Sequence, residues 1–215
     1  MNKIKMLSSD IVEMDARFRA AFVNSLSGFK SASLIGTINS AGISNLSIFS
    51  SVLHIGSDPA LIGCIVRPDS SPRHTLSNIL AQTYFTVNHV NEAIFKQAHQ
   101  TSARYAENIS EFSATGLTEE FSELFKAPYV KESNLKYGVE FVEKIELAVN
   151  GTILVIGKIV EVILPENCLL SYGAIDIEKA ETIAVSGLDT YHRTQQLARL
   201  SYAKPDGVSE EKSMI

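Results

Sequence analysis

An apolar run at residues 152–164, TILVIGKIVEVIL, constrains the fold of this chain more than any other segment. It follows Asn150-Gly151, a dipeptide that favours a type I′ hairpin turn because both central residues of that turn need positive φ. The segment before the turn, EFVEKIELAV, alternates in its centre, as a strand with one buried face does. The run itself is apolar on both faces, so both must be covered. The hairpin therefore predicts a barrel wall that is packed on its outside by a helix or by a second subunit.

Further strands are predicted on the N-terminal side of this hairpin, joined by short turns. They cover residues 33–38, 43–49, 52–55, 61–66 and 84–90. The predicted helices are grouped rather than alternating with strands, which favours a Greek-key or similar barrel over a parallel sheet. We therefore predict a mainly β fold with peripheral helices, in a single domain that covers residues 1–215.

The helical segments are predicted from spacing and capping residues. The first begins at Ser9 or Asp10 and ends at Gly28, and Met14, Phe18, Phe22 and Leu26 share one face of it. A short helix follows residue 74. Two more, at residues 92–107 and 118–126, form a helical insertion at about 91–126. The last helix covers residues 189–202 and precedes a loose polar tail at about 205–215.

Composition excludes several classes of function. The net charge of −5 argues against broad nucleic-acid binding, which needs many cationic contacts to phosphates. No signal peptide or membrane-spanning run is visible, so we expect a cytoplasmic protein that does not bind membranes. Cys64 and Cys168 lack metal-ligand spacing, and the histidines are scattered, so no metal site is predicted. The glycine patterns of Rossmann domains, P-loops and α/β-hydrolases are missing from the sequence.

Two polar clusters separated by an apolar strand provide the positive signal. The first contains Asn45, Ser47, Ser50 and Ser51, and the second contains Arg67, Arg73, His74, Thr75 and Asn78. Arginine forks suit phosphate, and the exposed N–H groups at a helix start favour an anion. The pattern is typical of a site for a flat phosphorylated ligand. The alternative is a serine-rich turn, a capped helix and solvated arginines.

The order of several short segments resembles the flavin reductase-like family, the split barrels that bind flavin mononucleotide (FMN). These segments are SLIGTIN, GISNLSIFSSV, GSDPALIGCIV, RHTLSNI, TYFTVNHV and GLDTYHRTQQLARLSYAKP, so the resemblance extends from about Phe18 to about Pro205. It implies a Greek-key split β-barrel of the FMN-binding type. It also implies a homodimer that holds FMN in a groove near the subunit interface.

The resemblance also implies roles for individual residues. Ser47, Ile48, Phe49, Ser50 and Ser51 would line the isoalloxazine edge, mostly through backbone groups and the serine hydroxyls, and Asn45 would shape the same strand end. Arg73 and Thr75 would hold the ribityl phosphate, with Arg67 assisting. Asn78 would brace the loop. His192 either reaches the flavin or substrate, as the candidate catalytic residue, or packs at the dimer seam.

The function implied is that of a flavin reductase or NAD(P)H-dependent oxidoreductase that transfers hydride to or from flavin N5. Because the cofactor provides the reactivity, no acid–base pair is required in the sequence. Two alternatives remain open: an electron carrier like flavoredoxin, or a flavin-binding barrel without turnover. An enzyme of the same fold that uses another ligand is a third.

Overall fold

The protein is described by a computed structural model that covers residues 2–68 and 74–212. The strands in chain order are β1 (Lys30–Ser31), β2 (Ser33–Ile38), β3 (Ser44–Phe49), β4 (Val52–Ser57), β5 (Ala60–Val66), β6 (Tyr84–His89), β7 (Glu119–Glu120), β8 (Tyr129–Val130), β9 (Lys136–Leu147), β10 (Thr152–Ile163), β11 (Ala184–Ser186) and β12 (Thr190–His192). The helices are α1 (Ser8–Glu13), α2 (Ala16–Ser25), α3 (His74–Gln82), α4 (Phe95–Gln100) and α5 (Glu111–Thr115), with a 3₁₀ turn at Glu166–Cys168. The predicted mainly β fold is confirmed. The five strands predicted before the long hairpin are present as β2 to β6, with small differences at their ends.

The main sheet closes on itself at Ser50 and Ser51. It has seven antiparallel strands in the order β3-β2-β6-β9-β10-β5-β4, so β3 and β4 lie at opposite ends. Only these two serines separate β3 from β4 in the chain. The sheet must therefore curl until its two edges meet, which gives a barrel with an open seam between β3 and β4. Ser51 bridges the seam to β5, since its Oγ donates to the Ile65 carbonyl at 3.0 Å and accepts from the Ile65 N–H at 3.2 Å.

The long hairpin is present, but its turn differs from the predicted one. Strands β9 and β10 are joined by residues 148–151, and the Gly151 N–H donates to the Leu147 carbonyl at 2.8 Å. Gly151 has φ of +70°, whereas Asn150 is not among the described residues with positive φ. A type I′ turn is therefore wrong. Asn150 acts through its side chain instead, because Oδ1 accepts from the Thr152 N–H at 3.0 Å.

Two cores lie on opposite faces of the barrel wall. Alternation along β2 sends Ile35 into the barrel interior and Leu34 to the outside. The interior core also receives Leu76 and Ile79 of α3, so this helix closes the barrel. The outer core packs Leu34 against Phe112 of α5, among other residues.

Part of the outer wall stays exposed in the single chain. We call Leu53, Ile55, Ile145 and Leu154 the outer patch. Leu53 is 40% exposed, Ile55 37% and Ile145 39%. Ile145 pairs with Leu154, and both Ile55 and Leu154 lean over the bare Cα of Gly63, so the patch is continuous. The sequence predicted that a helix or a second subunit would cover this wall, and the chain's own residues leave these three side chains in solvent.

The predicted N-terminal helix is wrong in its length. It is broken into α1 and α2, because Asp15 caps a new helix by accepting from the Arg17 N–H at 2.9 Å and the Phe18 N–H at 3.3 Å. Its apolar face is not buried, since Phe18 is 60% exposed and Leu26 65%. The helix ends at Ser25, three residues before the end predicted at Gly28, although Gly28 does have a left-handed φ of +69°.

The predicted helices of the insertion are also corrected. The helix expected at 92–107 is limited to α4, and the separate helix α5 was missed. The helix expected at 118–126 is wrong, because β7 pairs there with β8. Two polar side chains of this segment contact strands of the barrel. Glu120 pairs with Lys136 Nζ of β9, and Ser122 Oγ donates to Glu161 of β10 at 3.0 Å.

The helix predicted at 189–202 is wrong as well. Residues 190–192 form β12, which pairs with β11, and β11 pairs with β1, so a small second sheet adjoins the barrel. Beyond it the chain is irregular, and the tail folds back on itself where the Ser201 N–H donates to the Glu210 carbonyl at 2.9 Å. In the part of the chain that the structure describes, no helix is both long and apolar enough to cross a membrane.

Candidate functional site

The first polar cluster lies on an open sheet edge. Strand β3 is the last strand of the main sheet, so alternate N–H and C=O groups point away from β2. The Leu46 N–H is one of these, and the Glu111 carboxylate accepts from it at 2.9 Å. Burial raises the pKa of Glu111 above its usual value, although the bond from Leu46 opposes this. Two residues further, the backbone of Ile48 faces the same outward side, next to the seam.

The side chains of the seam segment differ in what they contact. Phe49 packs on the interior core and Ile48 on the outer core, both half-buried. The hydroxyls of Ser47 and Ser50 have no hydrogen-bond partner among residues 2–68 and 74–212, whereas Ser51 is fully used by Ile65. Two free hydroxyls and an outward backbone edge therefore line the seam.

A buried amide–hydroxyl network joins the two polar clusters. Asn45 Nδ2 donates to Thr75 Oγ1 at 3.1 Å, and Asn78 Nδ2 donates to Thr37 Oγ1 at 3.1 Å. All four residues are at most 8% exposed. The network fixes the start of α3 against β2 and β3. Asn78 lies within this network, where it braces α3.

Of the two arginines predicted to contact the phosphate, the structure describes Arg67 alone. Arg67 is exposed directly after β5, at the end next to the seam. Arg73, which the resemblance assigns to the phosphate, lies outside the described residues. His74, which follows it, is the first residue of α3.

Sequence reasoning missed a cation beside Arg67. Lys30 of β1 is half-buried, and its Nζ donates to the Gly187 carbonyl at 2.7 Å and to the Asn24 carbonyl at 3.2 Å. Burial and then the nearby Arg67 charge lower the pKa of Lys30. Its neighbour Ser31 donates to the Val52 carbonyl at 3.3 Å, which connects β1 to the seam. No local signal marks Lys30, since Arg67 and Gly187 are distant in the sequence.

His192 lies on β12 rather than on a helix. Its Nε2 is 2.8 Å from Ser186 Oγ, and its ring is tilted against Phe29 at a centroid distance of 4.8 Å. Ser186 precedes Gly187, so His192 is close to Lys30. It also lines a pocket of about 170 Å³ together with Glu92, Phe95, Ile183, Tyr191 and Arg193. Arg193 pairs there with Glu92, and Tyr191 OH is 2.9 Å from His99 Nδ1.

The two cysteines lie in apolar surroundings. Cys64 is 2% exposed and Cys168 1%. Burial raises the pKa of Cys64 to about 12, so its thiol stays protonated. Within the described ranges, no group of three or more histidine, cysteine or acidic residues is arranged to hold a metal ion.

Comparison with solved structures finds the same architecture in other proteins. A candidate flavin reductase with a split barrel domain from Shewanella frigidimarina NCIMB 400 is 52% identical, has a TM-score of 0.90, and covers 94% of this chain and 100% of its own. The flavoredoxin of Desulfovibrio vulgaris (Miyazaki F) is 23% identical with a TM-score of 0.69, over 83% of this chain and 92% of its own. The NADH:FAD oxidoreductase SgcE6 of Streptomyces globisporus C-1027 is 12% identical with a TM-score of 0.64, over 85% and 97%. The predicted split barrel is therefore confirmed.

The family assignment comes from the sequence profile. The profile of the flavin reductase like domain matches residues 27–176, which include β1, the seam, α3 and the long hairpin. By this match the chain belongs to the flavin reductase-like family of flavin-binding split barrels.

Proposed function

We propose that this protein binds FMN at the barrel seam and acts as a flavin reductase or NAD(P)H-dependent oxidoreductase. The observation that carries the proposal is the chemistry of the seam. An outward backbone edge and two free hydroxyls line the seam, and two cations, Lys30 beside Ser31 and Arg67 directly after β5, lie at its end without a carboxylate partner in the described parts of the chain. A planar, polar-edged ring that carries a phosphate fits such a donor set.

The residues predicted from the resemblance have separate tasks in this proposal. The backbone of Ile48 and Phe49 and the hydroxyls of Ser47 and Ser50 would meet the ring edge. Ser51 would keep the seam at a fixed width through its two bonds to Ile65. Asn45 would act through Thr75, by holding the start of α3 in place.

The phosphate would be held at the start of α3. Thr75 is fixed by the Asn45 bond, and the first N–H groups of a nine-residue helix point towards an anion placed there. Arg73 would add a charged fork, as the resemblance implies. Arg67 is a further candidate for a phosphate contact, because it lies at the β5 end of the chain segment that connects β5 to α3.

When bound, FMN would supply the hydride-accepting chemistry. The protein's own residues would bind the ring edge and orient it at the seam, and Phe49, which packs on the interior core, would limit the access of water there. His192 is the candidate for contact with flavin or substrate. Its bond to Ser186 fixes the ring orientation, and its position in the 170 Å³ pocket leaves one side accessible. The alternative role for His192 remains packing at a dimer seam.

We also propose that the protein is a homodimer and that the outer patch is its interface. The patch is apolar, continuous and next to the seam, and exposed apolar patches of this kind mark interaction sites. Ile55→Lys should convert the dimer into a monomer in light-scattering measurements. Val149→Lys, at a position that is 92% exposed on the hairpin tip, is the control and should change nothing. A wild-type monomer would contradict the proposal.

An electron-carrier function is the second candidate, because of the structural similarity to a flavoredoxin. The flavoredoxin of Desulfovibrio vulgaris shares this fold, and an electron carrier would use the same seam without a nicotinamide. A flavin-binding barrel without turnover is the remaining possibility. The cytoplasmic location stays a prediction from the sequence.

Anaerobic reduction of the FMN-loaded protein distinguishes these functions. The purified protein should bind added FMN, and NADH or NADPH should bleach the flavin absorbance without oxygen. A protein that takes up no FMN would contradict the binding proposal. If FMN binds but neither nicotinamide bleaches it, while dithionite does, the electron-carrier function is favoured over the reductase.

A further inference from the structure

We propose that a pocket between α4 and β12 binds a single-ring aromatic carboxylate, with Arg193 holding the carboxylate and with Phe95 and Tyr191 enclosing the ring. We call it the β12 pocket. It is lined by Glu92, Phe95, Ile183, Tyr191, His192 and Arg193. The site goes beyond the proposed function, because its occupant is neither FMN nor the nicotinamide donor.

The size of the β12 pocket limits its occupant. The volume of the pocket is about 170 Å³. Sites for drug-sized ligands measure roughly 300–1,000 Å³, so a flavin or a dinucleotide is too large to be enclosed here. The occupant is therefore limited to about one ring with small substituents.

The walls of the pocket favour a flat apolar group. The rings of Phe95 and Tyr191 have centroids 5.5 Å apart at an interplanar angle of 53°, and both are half-buried against the outer core. Tyr191 OH lies 2.9 Å from His99 Nδ1, which fixes the direction of the tyrosine ring. Ile183, which is 6% exposed, adds an aliphatic surface. Aromatic side chains prefer edge-to-face or offset contact with another ring, and these tilted walls provide it.

The anion end of the pocket is set by Arg193. Its Nε donates to Glu92 Oε2 at 2.7 Å, and its Nη2 donates to the other oxygen of the same carboxylate. The guanidinium is thus already presented as a fork to a carboxylate. A guanidinium has five N–H donors, and within the described ranges no group other than Glu92 accepts from this one.

Glu92 shows which anion the fork accepts, but it is held weakly. Both partners are exposed, the Arg193 side chain by 78% and the Glu92 side chain by 52%. Exposed ion pairs contribute little, because both charges are well hydrated when they separate. A ligand carboxylate that is also held by the apolar walls can therefore share the guanidinium or replace Glu92. A carboxylate without a ring lacks that second contribution.

Alternation along β12 orients the ligand. Tyr191 and Arg193 are two residues apart, so their side chains point to the same face at a spacing of about 6–7 Å along the chain. His192 lies between them, and its ring is held by Ser186 and Phe29, which do not line the pocket. The ring of the ligand would therefore lie at Tyr191 and its carboxylate at Arg193.

The β12 pocket shares a supporting core with the seam but not its binding groups. Ile48 packs on the outer core, as Phe95 and Tyr191 do. Among the described residues, none of those proposed for the ring edge or the phosphate of FMN lines the pocket. We therefore expect FMN and the aromatic carboxylate to bind at the same time.

Binding of benzoate tests the site directly. The full-length protein, with and without FMN, is titrated with sodium benzoate and with benzamide, its uncharged analogue. Changes in the ¹H–¹⁵N NMR spectrum give the affinity and the place of binding. Benzoate should shift the amide signals of Phe95, Tyr191 and Arg193, and it should bind more tightly than benzamide, because its bond to the guanidinium joins two charges. Shifts confined to other residues, no benzoate binding, or equal binding of the two compounds would overturn the proposal.

Substitutions at the ion pair should have opposite effects. Arg193→Gln should weaken benzoate binding by about tenfold or more and leave benzamide unchanged. Glu92→Gln should strengthen benzoate binding, because it removes the competing carboxylate and its negative charge. Arg104→Gln, at another exposed arginine, should behave as wild type. Benzoate affinity that does not respond to Arg193→Gln, or that falls in Glu92→Gln, would overturn the role of the pair.

Phe95→Leu separates recognition of the ring from recognition of the charge. The variant keeps an apolar side chain on the outer core but loses the aromatic surface, so it should weaken benzoate and benzamide to the same extent. Acetate, which has no ring, should show no difference between the variant and the wild type. Wild-type affinity of Phe95→Leu for both aromatic compounds would overturn the placement of the ring.

These outcomes are distinct from those of the proposed function. If FMN does not bind, or if no nicotinamide donor reduces it, the reductase function fails, while benzoate binding to the FMN-free protein still decides this proposal. If FMN displaces benzoate competitively, the pocket belongs to the flavin site and the proposal of a separate site is overturned.

Discussion

Asn45 and Thr75 are joined by a hydrogen bond of 3.1 Å between Nδ2 and Oγ1, although they come from the two separate polar clusters of the sequence. Asn45 is 8% exposed and Thr75 7%, so neither side chain has ready access to water. The bond fixes the start of α3 on the strand that leads to the seam. Any ligand that contacts both clusters is therefore met by a preformed arrangement.

This bond predicts coupled losses of stability. Asn45→Ala and Thr75→Val should each lower the free energy of unfolding by about 1–3 kcal/mol, because each leaves a buried polar partner unsatisfied. The double variant should lose less than the total of the two, by about 1 kcal/mol. Urea unfolding at one fixed protein concentration measures all three variants, with Ser40→Ala in the exposed turn as the control. Strictly additive losses would show that the bond contributes no coupling.

Arg73→Ala tests the phosphate site of the proposed function. If Arg73 makes a charge-assisted bond to the FMN phosphate, its loss should weaken FMN binding by about 1.5–3 kcal/mol, or roughly 10- to 150-fold. Riboflavin, which has no phosphate, should bind equally to both proteins. Fluorescence quenching titrations give the affinities, and Arg17→Ala in the exposed face of α2 is the control. Unchanged FMN affinity would remove Arg73 from the site.

Local patterns predicted the barrel but not the peripheral segments. Strands β2 to β6 and the β9–β10 hairpin were predictable because their residues alternate or form apolar runs between turn residues. The segments at 118–126 and 189–202 have helical spacing, yet they contain β7 and β12, which pair with β8 and β11 only a few residues away in the chain. These strands are two or three residues long, too short to show an alternating pattern. Lys30 was missed for another reason, since its contact with Gly187 is distant in the sequence and is set by the fold alone. Ser47 to Ser51 could be singled out as candidates because a serine-rich strand end is visible locally.

Gly36 is required by the close approach of two barrel elements. A Cβ at this position would collide with the Pro128 carbonyl oxygen and with Thr86 Oγ1, which are themselves hydrogen-bonded at 2.6 Å. Gly36→Ala should therefore lower the free energy of unfolding by about 2 kcal/mol or more, since the backbone oxygen cannot move aside. Gly207→Ala is the matched control, because its nearest neighbour is 4.0 Å away in the exposed tail. Thermal unfolding of both variants measures the difference, and equal stability would contradict the packing described for β2.

Stability should also fall in mild acid because of His89. Burial lowers the pKa of His89 from 6.5 to about 4, while its Nδ1 lies 3.1 Å from Thr182 Oγ1 and its ring contacts Tyr137 edge-on. In the unfolded chain this histidine binds a proton near pH 6.5, but in the folded protein it does not, so the unfolded state gains protons as the pH falls. The contribution of neutral His89 is complete above about pH 6.5 and is lost progressively towards pH 4, by about 2 kcal/mol at pH 5.

His89→Gln should remove this part of the pH dependence. Urea unfolding of wild type and variant at pH 8 and pH 5 gives the change in unfolding free energy, and the wild type should lose about 2 kcal/mol more than the variant. His54→Gln, on the exposed strand β4, should keep the wild-type dependence. Parallel pH profiles for wild type and His89→Gln would show that His89 is protonated in the folded protein, and the barrel interior near Tyr137 would then have to admit water.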